Sequence, residues 1–328
     1  MSRSIGLSLP NRGVLFGATT VEELYTLAER AEVSGYFDSV WVGDGLIAKP
    51  RVESIATMSA LAARTTRVKL GVCCMATFPL RNPVLLACQW ASLDVISGGR
   101  SLLAVCLGAP TGRGGTNFAA ELEAMGVRGK ERIGRMEESI ELIRRLWAGP
   151  TSHDGEYWSF PNVDLEPKPI QDPCPIWIAS NPDPSKLNPE RYERAIERVS
   201  RFADGWMSTV VTPEDFGTRW DEIRLRADRL GRGAEALTSA VHLMINLQED
   251  ETAAHREAKS FLDEYYVTDT RPEVMDAWGV YGTAERIAER VEEYRSRGVE
   301  LPILRFASFD QEGQLERAME ELLPGLAT

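Results

Sequence analysis

Short apolar runs alternate with longer amphipathic segments along most of this 328-residue chain. Most of the runs are too short for buried helices and are rich in Val, Ile, Leu or Cys, which is typical of buried strands. The amphipathic segments between them begin with N-capping residues and often end at glycine, as helices do. The pattern predicts eight strands, at residues 5–9, 39–43, 68–76, 102–107, 176–179, 205–208, 237–247 and 301–307.

The stretch from Arg67 to Gly108 is the clearest unit of this pattern. Its two apolar runs flank one amphipathic helix, which follows a proline-containing turn and ends at Ser97-Gly98-Gly99. A crossover helix between two strands makes them parallel. Small or polar residues cluster where both strands end, and ligands bind at that end of parallel α/β folds.

Eight strands alternating with helices favour an α/β fold, a TIM-like (β/α)8 barrel formed by residues 1–328 as a single domain. Insertions are expected after strands 4 and 7. The proline-rich residues from about 149 to 175 predict an irregular excursion, with an interdomain linker as the alternative. A doubly wound sheet is the alternative fold, but the first strand is followed by LPNRGVLFGATT, which lacks the spacing of a Gly-rich nucleotide-binding turn.

Composition and charge exclude several classes of function. A net charge of −12 makes nucleic acid and anionic membrane surfaces poor partners, because both require clustered Lys and Arg. The chain starts without a signal-peptide core and contains no run of about 18 apolar residues, so we expect no membrane span and a cytoplasmic location. None of the five Cys forms a CxxC pair, so no metal site is predicted. Adjacent Cys73 and Cys74 should face opposite sides of their strand.

Seven segments, in order along the chain, resemble the bacterial luciferase-like family of flavin-dependent oxidoreductases. They include AERAEVSGYFDSVWVGD, TTRVKLGV and YGTAERIAERVEEYRSRGVELPILRF. The resemblance implies a TIM-like barrel that binds reduced FMN, or the deazaflavin coenzyme F420, at the carboxyl ends of its strands. The matching segments are residues 28–44, 65–72, 79–105, 135–147, 155–180, 201–207 and 281–306.

The resemblance also implies which residues bind the cofactor. In this family the third strand bulges behind the flavin ring, often with a non-prolyl cis peptide, and the matching positions here are Cys73, Cys74, Met75 and Ala76. The rim beside the ring corresponds to Leu107 and Gly108. The turn that binds the flavin phosphate corresponds to Ala179, Ser180 and Asn181, with an ordinary turn as the alternative interpretation. The bulge positions could equally be barrel core.

Two residues are candidates for catalysis. Asp44, at the end of the second strand, could bind a ribityl hydroxyl or a polar ring edge, or it could bond only to its own loop. Many relatives have His after this Asp, whereas this chain has Gly45. If Asp44 contacts the cofactor, Asp44→Ala is expected to weaken flavin binding and to leave the thermal stability of the apoprotein nearly unchanged. His242 lies in the seventh predicted strand and is either a proton donor or a core His.

The function that the resemblance implies is a two-component monooxygenase that uses reduced FMN and O2 on a small organic substrate. A separate NAD(P)H:flavin reductase and a homodimeric assembly are the expected partners. The alternatives are an F420-dependent hydride-transfer enzyme and a non-catalytic flavin-binding protein. F420-dependent sugar dehydrogenases of the family carry Glu at the position of Ala109, so the alanine argues against a sugar dehydrogenase activity. Arg113, in the Gly-rich loop that follows, is a candidate anion contact.

Overall fold

The computed structural model describes residues 4–108 and 117–326 and contains a closed barrel of eight parallel strands. The predicted (β/α)8 fold is confirmed, and each of the eight predicted strands is present. The strands are β1 Gly6–Ser8, β2 Ser39–Val42, β3 Lys69–Met75, β4 Ser101–Val105, β5 Thr151–Asp154, β6 Ser159–Val163, β7 Ile176–Ala179, β8 Gly205–Ser208, β9 Thr238–Leu247, β10 Gly279–Gly282 and β11 Leu301–Phe306.

The helices surround the barrel. They are α1 Val21–Ser34, α2 Ser54–Arg64, α3 Pro83–Ser97, α4 Phe118–Ala124, α5 Arg132–Ala148, α6 Pro189–Phe202, α7 Pro213–Arg229, α8 Glu251–Tyr266, α9 Pro272–Trp278, α10 Ala284–Ser296, α11 Gln311–Arg317 and α12 Leu323–Leu326. Among the described residues, none of these helices combines the length and the apolar character that a membrane span requires.

Local sequence signals explain where the helices begin. Thr20 forms a capping box with Glu23 at the start of α1, so two backbone N–H groups of the first turn are satisfied. Asn82 caps α3 and is followed by Pro83 at the first helical position, and Gly98 ends that helix in the left-handed region.

Large aromatic side chains fill the barrel interior below the carboxyl ends of the strands. Trp41 and Trp177 pack against each other with ring centroids 5.7 Å apart. A Cβ on Gly71 would lie 2.1 Å from the Trp41 ring, so only glycine leaves room for that ring. Cys73 and Ala179 pack against this aromatic cluster. The open space of the barrel is therefore confined to the carboxyl ends of the strands.

The barrel closes through the hydrogen bonds between β8 and β9. Only residues 238–241 of β9 pair with β8, whereas residues 244–247 pair with β10. Residues 244 and 245 also pair with β11, so β10 must occupy the edge of β9 that β8 leaves free. The long strand β9 thus closes the barrel with its first half and supports an added strand with its second half.

Both predicted insertions are present, but each contains structure that the sequence pattern did not predict. The excursion after the fourth strand contains the antiparallel hairpin β5–β6, together with two cis X-Pro bonds at Glu166-Pro167 and Asp172-Pro173. Its hairpin turn is held by Glu138, whose carboxylate accepts the backbone N–H groups of residues 156–158. The insertion after the seventh barrel strand contains α8, α9 and β10.

Candidate functional site

Two cavities lie side by side at the carboxyl ends of the barrel strands. The β7 chamber, of about 510 Å³, is bordered by the ends of β4, β7 and β8. The β2 chamber, of about 330 Å³, is bordered by the ends of β1, β2, β3 and β11. Both volumes fall in the range of small-molecule sites. The residues that border both chambers are Cys73, Cys74, Cys106, Gly108, Thr209, His242 and Tyr266.

The shared wall of the two chambers is formed by a bulge in β3. The Cys73-Cys74 peptide bond is cis, and the pairing register with β4 shifts between Val72 and Met75. The bulge and the cis bond lie where the family resemblance places them. Cys73 and Cys74 both border the cavities, so the expectation that they face opposite sides of the strand is wrong. The bulge interrupts the two-residue alternation of a regular strand.

The side chain of Met75 is directed away from both chambers. It is completely buried in the core between the barrel and its helices. Ala76, one residue later, borders the β2 chamber. Of the four residues predicted to form the wall behind a flavin ring, Cys73, Cys74 and Ala76 therefore border a cavity, whereas the Met75 side chain supports the strand from behind.

The thiols of this wall are kept protonated. Burial raises the pKa of the Cys73 thiol, whose Sγ lies 3.4 Å from Ser8 Oγ. The Cys74 Sγ lies 2.6 Å from Cys106 Sγ, and this neighbouring thiol together with burial raises the pKa of Cys74. A protonated thiol is a poor nucleophile and resists oxidation, so we expect these two side chains to be unreactive.

Asp44 borders the β2 chamber, but its carboxylate is occupied by protein donors. Oδ1 accepts hydrogen bonds from Ser54 Oγ and from the Arg81 guanidinium, at 2.8 and 3.1 Å. Oδ2 accepts from the backbone N–H and the hydroxyl of Thr77, at 2.8 and 2.7 Å. Asp44 thus joins the ends of β2 and β3 to α2. Its direct role toward a cofactor or substrate stays a prediction, but a negligible effect of Asp44→Ala on stability is no longer expected.

His242 lies on β9 and faces both chambers. Its Nε2 is buried and has no hydrogen-bond partner within the described residues. Burial, together with the nearby Arg305 guanidinium, lowers the pKa of His242 to about 3. The imidazole is therefore neutral near pH 7, in a side chain that borders both chambers. A neutral ring can bind a ligand by a hydrogen bond, but it cannot donate a proton as an imidazolium.

The neutral burial of His242 makes stability depend on pH. Because the folded-state pKa of about 3 lies below the ordinary value of 6.5, the unfolded chain binds more protons between these pH values. The stabilisation is complete above pH 6.5 and is lost as the pH falls toward 3. Below pH 6.5 we expect the free energy of unfolding of wild type to fall by up to about 1.4 kcal/mol per pH unit more than that of His242→Gln. Urea unfolding from pH 7 to pH 4 measures this difference, and parallel curves for the two proteins would contradict it.

The predicted rim and phosphate-turn residues come together around the β7 chamber. They are Leu107, Gly108, Ala179, Ser180 and Asn181. The turn after β7 is held in place, because the Trp206 indole donates to the Ser180 carbonyl and Arg219 donates to the Asn181 side chain. The structure thus brings five predicted residues into one cavity, and their role as cofactor ligands stays a prediction.

Several residues that border the chambers were not predicted. Ser208 Oγ is buried in the wall of the β7 chamber without a hydrogen-bond partner among the described residues. Arg305 was detectable in principle, because a charged residue inside the otherwise apolar strand β11 is unusual in a barrel. Ala109 and Arg113, which entered the predictions, lie outside the described residues. Other unpredicted residues that border the chambers include Lys49, Arg51, Thr209, Tyr266 and Trp278.

A larger cleft of about 690 Å³ lies outside the barrel, between α8, β10 and α10. Charged side chains border it, and several of them already pair with each other, as Arg286 does with Glu251. The barrel mouth is the stronger candidate site, because it is more apolar and contains the unpaired polar atoms of Ser208 and His242.

Comparison with known proteins identifies relatives with two kinds of cofactor. Residues 4–301 match the family described as luciferase-like monooxygenase. The chain is 28% identical over 179 residues to the oxygenase component of the flavin-dependent trigonelline monooxygenase of Acinetobacter baylyi. This alignment covers 54% of the chain but only 46% of that protein. The chain is also 27% identical over 330 residues to an F420-dependent glucose-6-phosphate dehydrogenase of Amycolatopsis mediterranei, with 93% of the chain and 94% of that protein covered.

The fold agrees with that of solved enzyme structures. An F420-dependent secondary alcohol dehydrogenase, in complex with an F420-acetone adduct, superposes with a TM-score of 0.79. The match covers 100% of both chains at 19% sequence identity, so it shows the fold alone.

Proposed function

Since the chain belongs to the luciferase-like monooxygenase family of oxidoreductases, we propose that it is a monooxygenase that uses reduced FMN and O2 to oxidise a small organic substrate. A separate NAD(P)H:flavin reductase supplies the reduced FMN in this proposal. The proposal rests on one observation: among the described residues that border the two chambers, both oxygens of the Asp44 carboxylate already accept hydrogen bonds and the His242 imidazole is neutral.

The β7 chamber fits a flavin. Its walls are largely apolar, as the ring requires. Two of the residues that border it, Ser208 and His242, have a buried polar atom, Oγ and Nε2, without a hydrogen-bond partner among the described residues. Buried polar groups normally have hydrogen-bond partners, so these atoms indicate a ligand with complementary polar edges. Ser180 and Asn181 would bind the polar tail of the cofactor, and the bulge at Cys73-Cys74 would support the ring.

The acid–base groups of the mouth are already engaged. Both Asp44 oxygens accept hydrogen bonds from the protein, and His242 is held neutral. Glu121 uses Oε2 to accept the backbone N–H groups of residues 46–48. Residues 109–116, which lie outside the described part, include no Asp, Glu or His. Hydride transfer to a carbonyl requires a proton relay, whereas oxygen activation by a reduced flavin requires mainly a dry cavity.

The protein's own contribution is to bind, orient and shield. Reduced FMN, when bound, supplies the electrons that activate O2. The wall thiols, with raised pKa values for Cys73 and Cys74, stay protonated beside an oxidising reaction. Tyr266 and Trp278, from the insertion after β9, border the β7 chamber and pack against each other with ring centroids 4.7 Å apart.

A second candidate function, F420-dependent hydride transfer, is favoured by Lys49. Burial and the neighbouring Arg51 and Arg12 lower the pKa of Lys49 to about 8, so this amine could accept a proton near neutral pH. An F420-dependent relative that aligns along nearly the whole chain supports the same candidate.

Stopped-flow spectroscopy separates the candidates. We expect the protein to bind reduced FMN and, on mixing with O2, to delay the return of the oxidised flavin spectrum at least tenfold relative to free FMN. Tight binding of F420 together with failure to bind FMN would contradict the monooxygenase proposal and support hydride transfer. FMN binding with no delay and no product from a panel of organic substrates would indicate a non-catalytic flavin-binding protein.

A further inference from the structure

Three cationic side chains border the β2 chamber, which the proposed cofactor site leaves free. Arg305 is fully buried, donates from Nη1 to the Leu9 carbonyl, and has no partner for its buried Nε among the described residues. Arg51 is partly buried and donates from Nε to the Lys49 carbonyl. The Lys49 ammonium lies 5.0 Å from the centre of the Tyr266 ring. Lys49 and Arg51 come from the loop after β2 and Arg305 comes from β11, and the three meet at one cavity.

These cations have no acidic partner in the described residues. No Asp or Glu oxygen in the described ranges lies within 4.0 Å of the charged nitrogens of Lys49, Arg51 or Arg305. The acidic residues of the same chamber are engaged elsewhere, Asp44 with Arg81 and Glu121 with the backbone N–H groups of residues 46–48. Residues 1–3, 109–116 and 327–328, which lie outside the described part, carry no acidic side chain.

Buried or half-buried cations without an acidic partner are unfavourable, and the rings of Tyr265 and Tyr266, which lie 4.3 Å from Arg305 and 5.0 Å from Lys49, compensate these charges only in part. Burial disfavours a charge unless an opposite charge or several hydrogen bonds compensate it, and neighbouring like charges add repulsion. The lowered pKa of Lys49, caused by burial and by the charges of Arg51 and Arg12, reflects this repulsion. In proteins such arrangements are compensated by a bound anion, and guanidinium groups suit carboxylates because they donate two parallel hydrogen bonds.

We propose that the β2 chamber binds the anionic group of a small organic acid, and that Lys49, Arg51 and Arg305 hold its carboxylate. This inference rests on the proposed function, because it assigns the β2 chamber to the substrate and the β7 chamber to the cofactor. Ala48 and Phe118 provide apolar surface in the same chamber, so the substrate is an acid with a compact apolar or aromatic body. The two chambers join at Cys73, Cys74 and His242, where substrate and cofactor would meet.

The phosphate of the cofactor is the other source of an anion for this cluster. The predicted phosphate turn at Ser180 and Asn181 borders the β7 chamber, whereas Lys49, Arg51 and Arg305 border the β2 chamber. We therefore assign the cluster to the substrate. The two sources can be separated by comparing FMN with riboflavin, which lacks the phosphate.

Titration calorimetry with benzoate and its neutral analogue benzamide tests the assignment. The proteins are wild type, the Lys49→Met/Arg51→Met double variant, and Lys69→Met as the control. Lys69 is exposed at the start of β3, at the opposite end of the barrel, so its variant removes a positive charge without touching the chamber. We expect benzoate to bind at least tenfold more tightly than benzamide to wild type and to the Lys69→Met control, and the double variant to lose this preference.

Four outcomes would overturn the assignment to the substrate. The first is equal binding of benzoate and benzamide by wild type. The second is a double variant that keeps the benzoate preference. The third is inorganic sulfate displacing benzoate at equal concentration, which would indicate an adventitious ion only. The fourth is a double variant that binds FMN more weakly but riboflavin normally, which would assign the cluster to the cofactor phosphate.

The proposed function is tested separately by titrating wild type with FMN and with F420. A benzoate preference without binding of either cofactor would contradict the proposed function and leave the anion site in place. Cofactor binding without a benzoate preference would contradict only the anion site.

Discussion

Replacing Asp44 by alanine is expected to lower the free energy of unfolding by about 3–5 kcal/mol, the range found when one partner of a buried ion pair is removed. The substitution deletes four hydrogen-bond acceptor contacts and leaves the Arg81 guanidinium and the Thr77 backbone N–H without their partner. Glu53, which also pairs with Arg81, is 40% exposed and compensates only part of this loss.

Urea unfolding followed by circular dichroism measures the Asp44→Ala effect. Asp154→Ala is the control, because Asp154 is exposed and accepts a side-chain hydrogen bond only from Ser159 among the described contacts. This control should change stability by no more than about 0.5 kcal/mol. Asp44→Asn, which keeps the shape of the side chain, should fall between wild type and Asp44→Ala. If Asp44→Ala were as stable as the control variant, the anchoring role of Asp44 would be wrong.

Filling the β7 chamber is expected to abolish cofactor binding. Ala179, at the end of β7, borders this chamber, so the indole of Ala179→Trp would occupy the space assigned to the ring. We expect the affinity for FMN, or for F420, to fall at least 100-fold, which corresponds to about 2.7 kcal/mol. Because the indole enters an existing cavity, the thermal unfolding midpoint should show that the variant remains folded.

A matched substitution in the other chamber is the control for Ala179→Trp. Ala48 borders the β2 chamber, and Ala48→Trp should leave cofactor affinity within about threefold of wild type, a difference below about 0.7 kcal/mol. Fluorescence titration of both variants measures these affinities. Loss of cofactor binding in Ala48→Trp together with normal binding in Ala179→Trp would exchange the roles assigned to the two chambers.

The barrel could be predicted from the sequence because each of its strands is an apolar run between polar, well-capped helices. Strands without an apolar run of several residues leave no such signal. The hairpin β5–β6 is made of exposed, mostly polar residues and is fixed by Glu138, a residue distant in sequence. Strand β10 has only four residues, two of them glycine. It forms because residues 244–247 of β9, which do not pair with β8, are free to pair with it.

The candidate site was predictable in part for a similar reason. In a (β/α)8 barrel the carboxyl ends of all strands meet, so Leu107, Ser180 and His242 could be expected to lie close together. The positions of Lys49 and Tyr266 depend on how loops and insertions pack over the mouth, and no local pattern encodes that packing. The bulge in β3 also alters which side chains face the cavity, as Met75 shows.

The two halves of β9 have different partners, and this has a consequence for how the β7 chamber can be altered. Residues 238–241 close the barrel, while the segment from α8 to β10, which carries Tyr266 and Trp278, attaches to residues 244–247. This segment can be shortened, lengthened or exchanged with that of a relative without removing a hydrogen bond that closes the barrel. We therefore expect that exchange of this segment reshapes the β7 chamber, which Tyr266 and Trp278 border, while the pairing of β8 with β9 stays intact.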